Sequence, residues 1–251
     1  MALTGIGDSL EGFHAVRAAL DAGRVTSIRV ERSRVRRDDY ARLLDDAVAG
    51  GVSIKQVEDV RDEAVTGAPQ GVIARARPIP FVSIGEALNV TSPPALLVLD
   101  HLEDPRNVGA IARSMVAAGV KALVLPERRS APLGPTAFKA AVGAFEQLTI
   151  VQVKSTADAM RRLRKLGVWL VGLDAGGERS LFGCDLLAEP VAIVIGAEGK
   201  GLGRLAGDLL DVTVSIPISP DVESLNASVA AALAVFEVSR MRSATLGGSL
   251  A

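Results

Sequence analysis

The chain has 251 residues, 49% hydrophobic, 23% charged and 3% aromatic, with a formal net charge of −1. This is an ordinary globular profile for one large domain or two modest ones, and the overall charge does not announce a nucleic-acid binder. Cys184 is the only cysteine, which excludes an internal disulfide and fits a reducing cytosol; with His14 and His101 as the only histidines, no metal site is expected. The start, MALTGIGDSLEG, has no basic or apolar signal segment, and no apolar run reaches the ~18 residues of a membrane span, so a cytoplasmic protein without membrane contact is expected.

The first elements read as a small α/β unit over residues 1–77. GFHAVRAALDAG places Phe13, Val16, Ala19 and Leu20 at helical spacing before a stop at Gly23, and VTSIRVE is strand-like. DDYARLLDDAVAGG returns to helical period, and VSIKQV and GVIARA are short strand-type runs. This stretch also carries Arg29, Arg32 and Arg34 within a cluster that ends at Arg37, followed by Arg75 and Arg77. Singly these are solvated surface charges; together they are compatible with phosphate recognition.

Residues 78–94 hold Pro78, Pro80, Pro93 and Pro94 and read as a linker with a short helix around Ser83–Leu88. From Ala95 to the end, six nearly continuous apolar runs (ALLVLD, KALVLP, LTIVQV, VWLVGLD, VAIVIG, VTVSIPI) alternate with helical segments at 108–118, 135–148, 156–166, 202–210 and 225–242. Such runs suit strands covered on both faces, so residues 95–251 are expected to form an α/β domain with a parallel sheet. Ligands of such sheets sit outside the carboxyl ends of the strands.

Three strand-end loops carry the informative polar residues. In DHLEDPRNVGAIARS, Asn107 reads as a helix N-cap and Arg113 as a surface cation, or alternatively as a geometry-fixing amide and a planar fork for a phosphate. IVIGAEGKGLG brings Gly196, Gly199, Gly201 and Gly203 around Glu198, and matches neither a dinucleotide fingerprint nor a Walker loop. SIPISPDVESLNAS leaves the sheet at Ile216 and sets Ser224 and Asn226 around Leu225 at the mouth of the last helix, with Ser224 a sufficient N-cap.

Taken together the loops resemble the three motifs of the SpoU–TrmH family of RNA ribose 2′-O-methyltransferases, of the trefoil-knotted SPOUT class. The likeness lies in N-x-G-x-x-x-R at 107–113, G-x-E-G-x-G at 196–201 and I-P-x…S-L-N-x-S at 216–228. RRSAPLGPTAFKAAVGAFE, GFHAV and PQGVIAR further resemble the subgroup that methylates a guanosine of large-subunit (23S) ribosomal RNA. The resemblance implies a knotted C-terminal domain behind a ribosomal-protein-like N-terminal RNA-binding domain, and a homodimer. It implies S-adenosyl-L-methionine held near Gly196, Ile216 and Leu225, and functional roles for Asn107, Arg113, Glu198, Ser224 and Asn226. Arg113 is either the residue that assists deprotonation of the hydroxyl or, given an arginine pKa above about 12, a clamp for the adjacent phosphate and forming alkoxide. Two positions depart from the pattern: Pro220 replaces a usual glycine and Met115 a small residue. Another RNA target, or a non-catalytic RNA-binding role, would share most of these features.

Overall fold

A computed structural model describes residues 5–197 and 201–245. The chain divides into two compact units, Met1–Phe81 with Pro132–Gln147, and Val82–Ala131 with Leu148–Ala251.

The smaller unit runs β1 (Gly5–Ile6), β2 (Ser9–Glu11), α1 (Phe13–Asp21), β3 (Val25–Glu31), α2 (Asp38–Ala49), β4 (Ser53–Val57), β5 (Val72–Ala76) and β6 (Ile79–Pro80). Four strands form one sheet in the order β2-β5-β3-β4, with β3 parallel to β4 and β5 antiparallel to β2 and β3. The crossovers β2–α1–β3 and β3–α2–β4 step in the same direction, so right-handedness puts both helices on one face. The strand sequences agree: Leu10, Ile28, Val30, Val72 and Ala74 are buried, while Ser53, Lys55 and Arg75, on the opposite face, are exposed.

The larger unit contains α3 (Ile84–Leu88), β7 (Ala95–Leu99), α4 (Pro105–Ala117) and β8 (Ala122–Pro126). The chain then makes an excursion through α5 (Pro135–Ala141) and returns with β9 (Thr149–Val153), α6 (Thr156–Lys165), β10 (Trp169–Leu173), β11 (Arg179–Ser180), β12 (Val191–Ile195), α7 (Arg204–Gly207), β13 (Val212–Ser215) and α8 (Ala227–Thr245). Its seven strands are parallel throughout, in the order β11-β13-β10-β12-β7-β8-β9. Every residue of β7, β8 and β12 is buried, as expected for strands covered on both faces. Leu96, Val98, Val124, Leu170 and Val194 pack with Ile84, Met160, Leu163 and Ala206 of α3, α6 and α7. α4 packs against α8.

Two expectations are corrected, both on helices. The segment read as a sandwich helix at 135–148 is α5 plus a 3₁₀ turn, Ala144–Gln147, and belongs to the smaller unit. A sheet this small buries too little of its own surface, and the excursion supplies Phe138 and Phe145, both buried, with ring centroids 4.8 Å apart. The Phe138 ring occupies the space a side chain at Gly7 would need. Arg24 grips Glu146 with two hydrogen bonds, at 2.8 and 2.5 Å. The short helix expected around Ser83–Leu88 is α3, on which Ser83 and Glu86 form a reciprocal capping box, and β6, before it, pairs with β1. The helix expected over 202–210 shortens to α7, bounded by Gly203 and Gly207.

The last helix is fastened at its far end. Arg242 donates to the carbonyls of Pro93 (2.6 Å), Pro94 (2.8 Å), Glu189 (2.9 Å) and Leu187 (3.3 Å), and burial lowers its pKa. Glu237, 5% exposed, accepts from Gly183 N at 2.8 Å and pairs with Arg240. Its pKa is held below the carboxylate range first by Arg240 and then by the Gly183 amide, against burial, which works to raise it. No helix among the described residues is long and apolar enough to cross a membrane.

Candidate active site

The first loop follows β7. Its helix, α4, is capped by Asp104, whose side chain accepts from Arg106 N at 2.8 Å, with Pro105 in the first turn. Asn107 is therefore not the cap. It lies in the first turn, 8% exposed. Arg113 follows six residues later, well round the helix, and is exposed, with no hydrogen bond or ion pair among the described residues. Met115 is fully buried in the α4 core.

The second loop leaves β12 and doubles back. Gly201 N donates to Ala197 O at 3.0 Å, and a side chain at Gly196 would collide with the Gly201 backbone. Gly201 has φ 63, the left-handed conformation that favours glycine. Asp100, 3% exposed at the end of β7, braces the returning leg: its Oδ2 accepts from Gly203 N at 3.3 Å. The other Asp100 oxygen lies 3.2 Å from His101 Nδ1. Glu198, with Gly199 and Lys200, falls outside the described residues.

The third loop leaves β13 at Ile216. Val222 N donates to Ser219 O at 3.0 Å, closing a turn with Pro220 at its second position, where a φ fixed near −65° is favourable. Pro220 is exposed and does not line the cleft described below. The cap of α8 is Asn226, not Ser224: its Oδ1 accepts from Ser228 N at 2.8 Å, Ser228 Oγ at 2.6 Å and Val229 N at 3.4 Å. Committing that oxygen to the cap turns the amide nitrogen away, and Nδ2 donates to Asn107 Oδ1 at 3.1 Å. A helix cap thus sets the orientation of a side chain on another loop. Ser224 is exposed and Leu225 half-buried.

Between these strand ends lies a cleft of roughly 660 Å³, lined by Gly196, Ile216, Ser224, Leu225 and Asn226 among the residues expected there. Asn107 reaches it through Asn226, and Arg113 is not part of its wall. Asp174 and Glu223 also line it and were missed by the motif reading. Asp174 had a legible signal, since it ends the run VWLVGLD as Asp100 ends ALLVLD. A nucleoside-bearing cofactor fits this wall: Leu173, Ile195, Ile218 and Leu225 offer apolar surface, Gly196 brings backbone close, and Asp174 and Glu223 suit a cationic group. Among the described residues no group of three His, Cys, Asp or Glu could hold a metal.

The basic residues of the smaller unit do not act as one patch. Arg29 pairs with Glu63, Arg32 with Glu58 at 2.6 Å, and Arg34 lies 4.0 Å from Glu31. Arg77 donates to Gly23 O. Arg75 is exposed and makes no side-chain hydrogen bond or ion pair among the described residues.

Comparison with known proteins decides the family. The SpoU rRNA Methylase family matches residues 94–236. The chain belongs to that family. The description RNA 2′-O ribose methyltransferase substrate binding matches residues 9–82. A 23S rRNA (guanosine-2′-O-)-methyltransferase RlmB from Ralstonia nicotianae is 39% identical, over 93% of this chain and 96% of that protein. An uncharacterized tRNA/rRNA methyltransferase from Synechocystis sp. is 36% identical over 94% of this chain, which spans 63% of that relative's length. The crystal structure of the SpoU methyltransferase AviRb from Streptomyces viridochromogenes with AdoMet has a TM-score of 0.77 at 26% identity, covering 94% of this chain and 90% of that one. The matched stretch contains all three strand-end loops.

Proposed function

We propose that this protein is an S-adenosyl-L-methionine-dependent RNA 2′-O-methyltransferase whose target is a guanosine ribose of 23S ribosomal RNA. One observation carries the reading: the Asn226–Asn107 hydrogen bond joins the first and third loops beside a cleft that the second loop also lines. Bound there, the cofactor supplies an electrophilic methyl group on a sulfonium.

Everything else falls to the chain. Gly196, Ile216 and Leu225 form the cofactor wall, with carboxylates at Asp174 and Glu223 to balance a sulfonium charge. Asn107 and Asn226, locked to each other, orient the ribose end with Ser224, and Glu198 shares in the function as the acid of the second motif. Arg113, exposed and without a hydrogen bond or ion pair among the described residues, can meet an RNA phosphate with its bidentate fork and stabilise the oxygen as it loses its proton. Holding hydroxyl and methyl in line supplies several kcal/mol, up to ~7–11 in well-aligned cases.

The wider architecture belongs to the same proposal. The N-terminal residues 1–77, a ribosomal-protein-like unit, hold RNA through basic residues among Arg29, Arg32, Arg34, Arg75 and Arg77; 78–94 connects them to the methyltransferase domain, 95–251, from which 132–147 departs to complete the smaller unit. That domain is knotted in the SPOUT manner, and the protein works as a homodimer in the cytoplasm. The return of α8 from β13 to α4 supports the knot, and Val229 and Phe236, 47% and 50% exposed on α8, support a covered face. The test is methyl transfer from labelled S-adenosylmethionine to unmodified 23S rRNA with position mapping and an Arg113→Ala control. Incorporation at one guanosine ribose, lost in the control, is expected. Cofactor binding without incorporation would move the target to another RNA; neither binding nor incorporation would leave an RNA-binding protein without catalysis.

A further inference from the structure

The face of the four-stranded sheet that α1 and α2 leave open carries a groove of roughly 300 Å³. Register fixes what stands in it. Ser9, Arg75, Ser27 and Ser53 lie side by side on one rung across β2, β5, β3 and β4, and Glu11, Ile73, Arg29 and Lys55 on the next. Neighbouring strands are ~4.8 Å apart, so each rung presents its groups over a span of about three strand spacings. The two acids that line the groove are occupied. Glu11 is buried and accepts from Val65 N at 2.5 Å, Thr66 N at 2.9 Å and the Thr66 hydroxyl, and Glu63 is paired with Arg29. Arg75 and Lys55 are exposed and make no ion pair among the described residues, and Arg29 keeps a buried Nε–H without an acceptor.

From this we infer that the open sheet face is an RNA-backbone groove, in which Arg75 and Lys55 meet phosphates and the serine hydroxyls bond phosphate or sugar oxygens. The inference rests on the methyltransferase reading and adds where and how the RNA is held. Three hydroxyls among unneutralised cations are the groups that contact phosphate and sugar. Among the described residues the groove has no aromatic side chain to serve as a platform for stacking bases. Binding there is electrostatic and tolerant of sequence, and it orients the RNA while the strand-end cleft selects the reacting nucleotide.

The experiment measures affinity of the full chain for an unmodified 23S rRNA fragment and for a labelled oligouridine, across a salt series. Arg75→Ala and Lys55→Ala are each expected to weaken both RNAs several-fold and to lower the salt slope by about 0.7. In methylation assays the two variants raise KM for RNA and leave kcat and cofactor affinity in place, whereas Arg161→Ala, a paired surface arginine, changes nothing. Arg75→Lys restores most of the affinity. Affinities and slopes equal to the parent's for both variants would overturn the groove while leaving the methyltransferase intact. A parent chain that binds cofactor but no RNA would overturn both readings together.

Discussion

The two sheets of this protein place their polar chemistry in opposite ways. In the seven-stranded sheet, β7, β8 and β12 are buried along their whole length, so Asp100, Gly196 and Asp174 appear only where strands end. In the four-stranded sheet, both helices sit on one face, and Ser27, Arg29, Ser53, Lys55 and Arg75 stand on the strands themselves. A sheet covered on both sides can build a cleft only at its ends, whereas one covered on a single side can offer a surface. The first suits a small cofactor and the second a long polymer.

The sharpest way to break that contrast is at Arg113. Arg113→Lys keeps the charge and loses the fork; kcat/KM is expected to fall about 100-fold or more, with cofactor affinity unchanged in a binding titration. Near-normal turnover would remove the clamp from the strand-end site. On the other unit, Arg24→Met leaves Glu146 buried without its partner, which costs about 3 kcal/mol by urea unfolding. Asn226→Asp tests the link between cap and site. The cap oxygen is retained and the donor to Asn107 is lost, so methylation drops about tenfold while Tm stays within a few degrees. Asn226→Ala removes both and lowers stability by about 1 kcal/mol as well. The smallest effect is at Glu237. Its folded pKa is depressed, so its contribution is present above the ordinary carboxylate range and is lost as pH falls through the folded value. Glu237→Gln should therefore flatten the acid limb of the stability–pH curve and leave the shape above pH ~6 unchanged; an unaltered acid limb would show that the Arg240 pair has no such role.

Much of the fold was legible because burial writes itself into local pattern. Apolar runs marked all the long strands of the larger sheet, and short strand-type runs marked β3, β4 and β5. What stayed hidden depends on distant partners. The excursion through α5 looks like any amphipathic helix until Phe138 is found against Gly7 and Glu146 against Arg24. The loops were found by their position after strands, yet the caps were misassigned. Asp104 and Asn226 cap their helices in place of Asn107 and Ser224, since several polar residues near each start were locally sufficient. The Asn107–Asn226 bond spans 119 positions and no local signal announces it. The reading of Arg113 as a surface cation agrees with its exposure on α4.

The excursion at 132–147 has a consequence for modularity. Because the smaller unit is assembled from two separate stretches of chain, its genetic boundary is not a single point. A gene fragment ending at residue 81 would encode a sheet stripped of Phe138, Phe145 and Glu146, and a graft of that fragment onto a foreign methyltransferase would inherit whatever its host happens to carry at 132–147. Recombination between relatives must therefore exchange both stretches together. The smaller unit should travel through evolution as a matched pair with its insert, not as a detachable cassette.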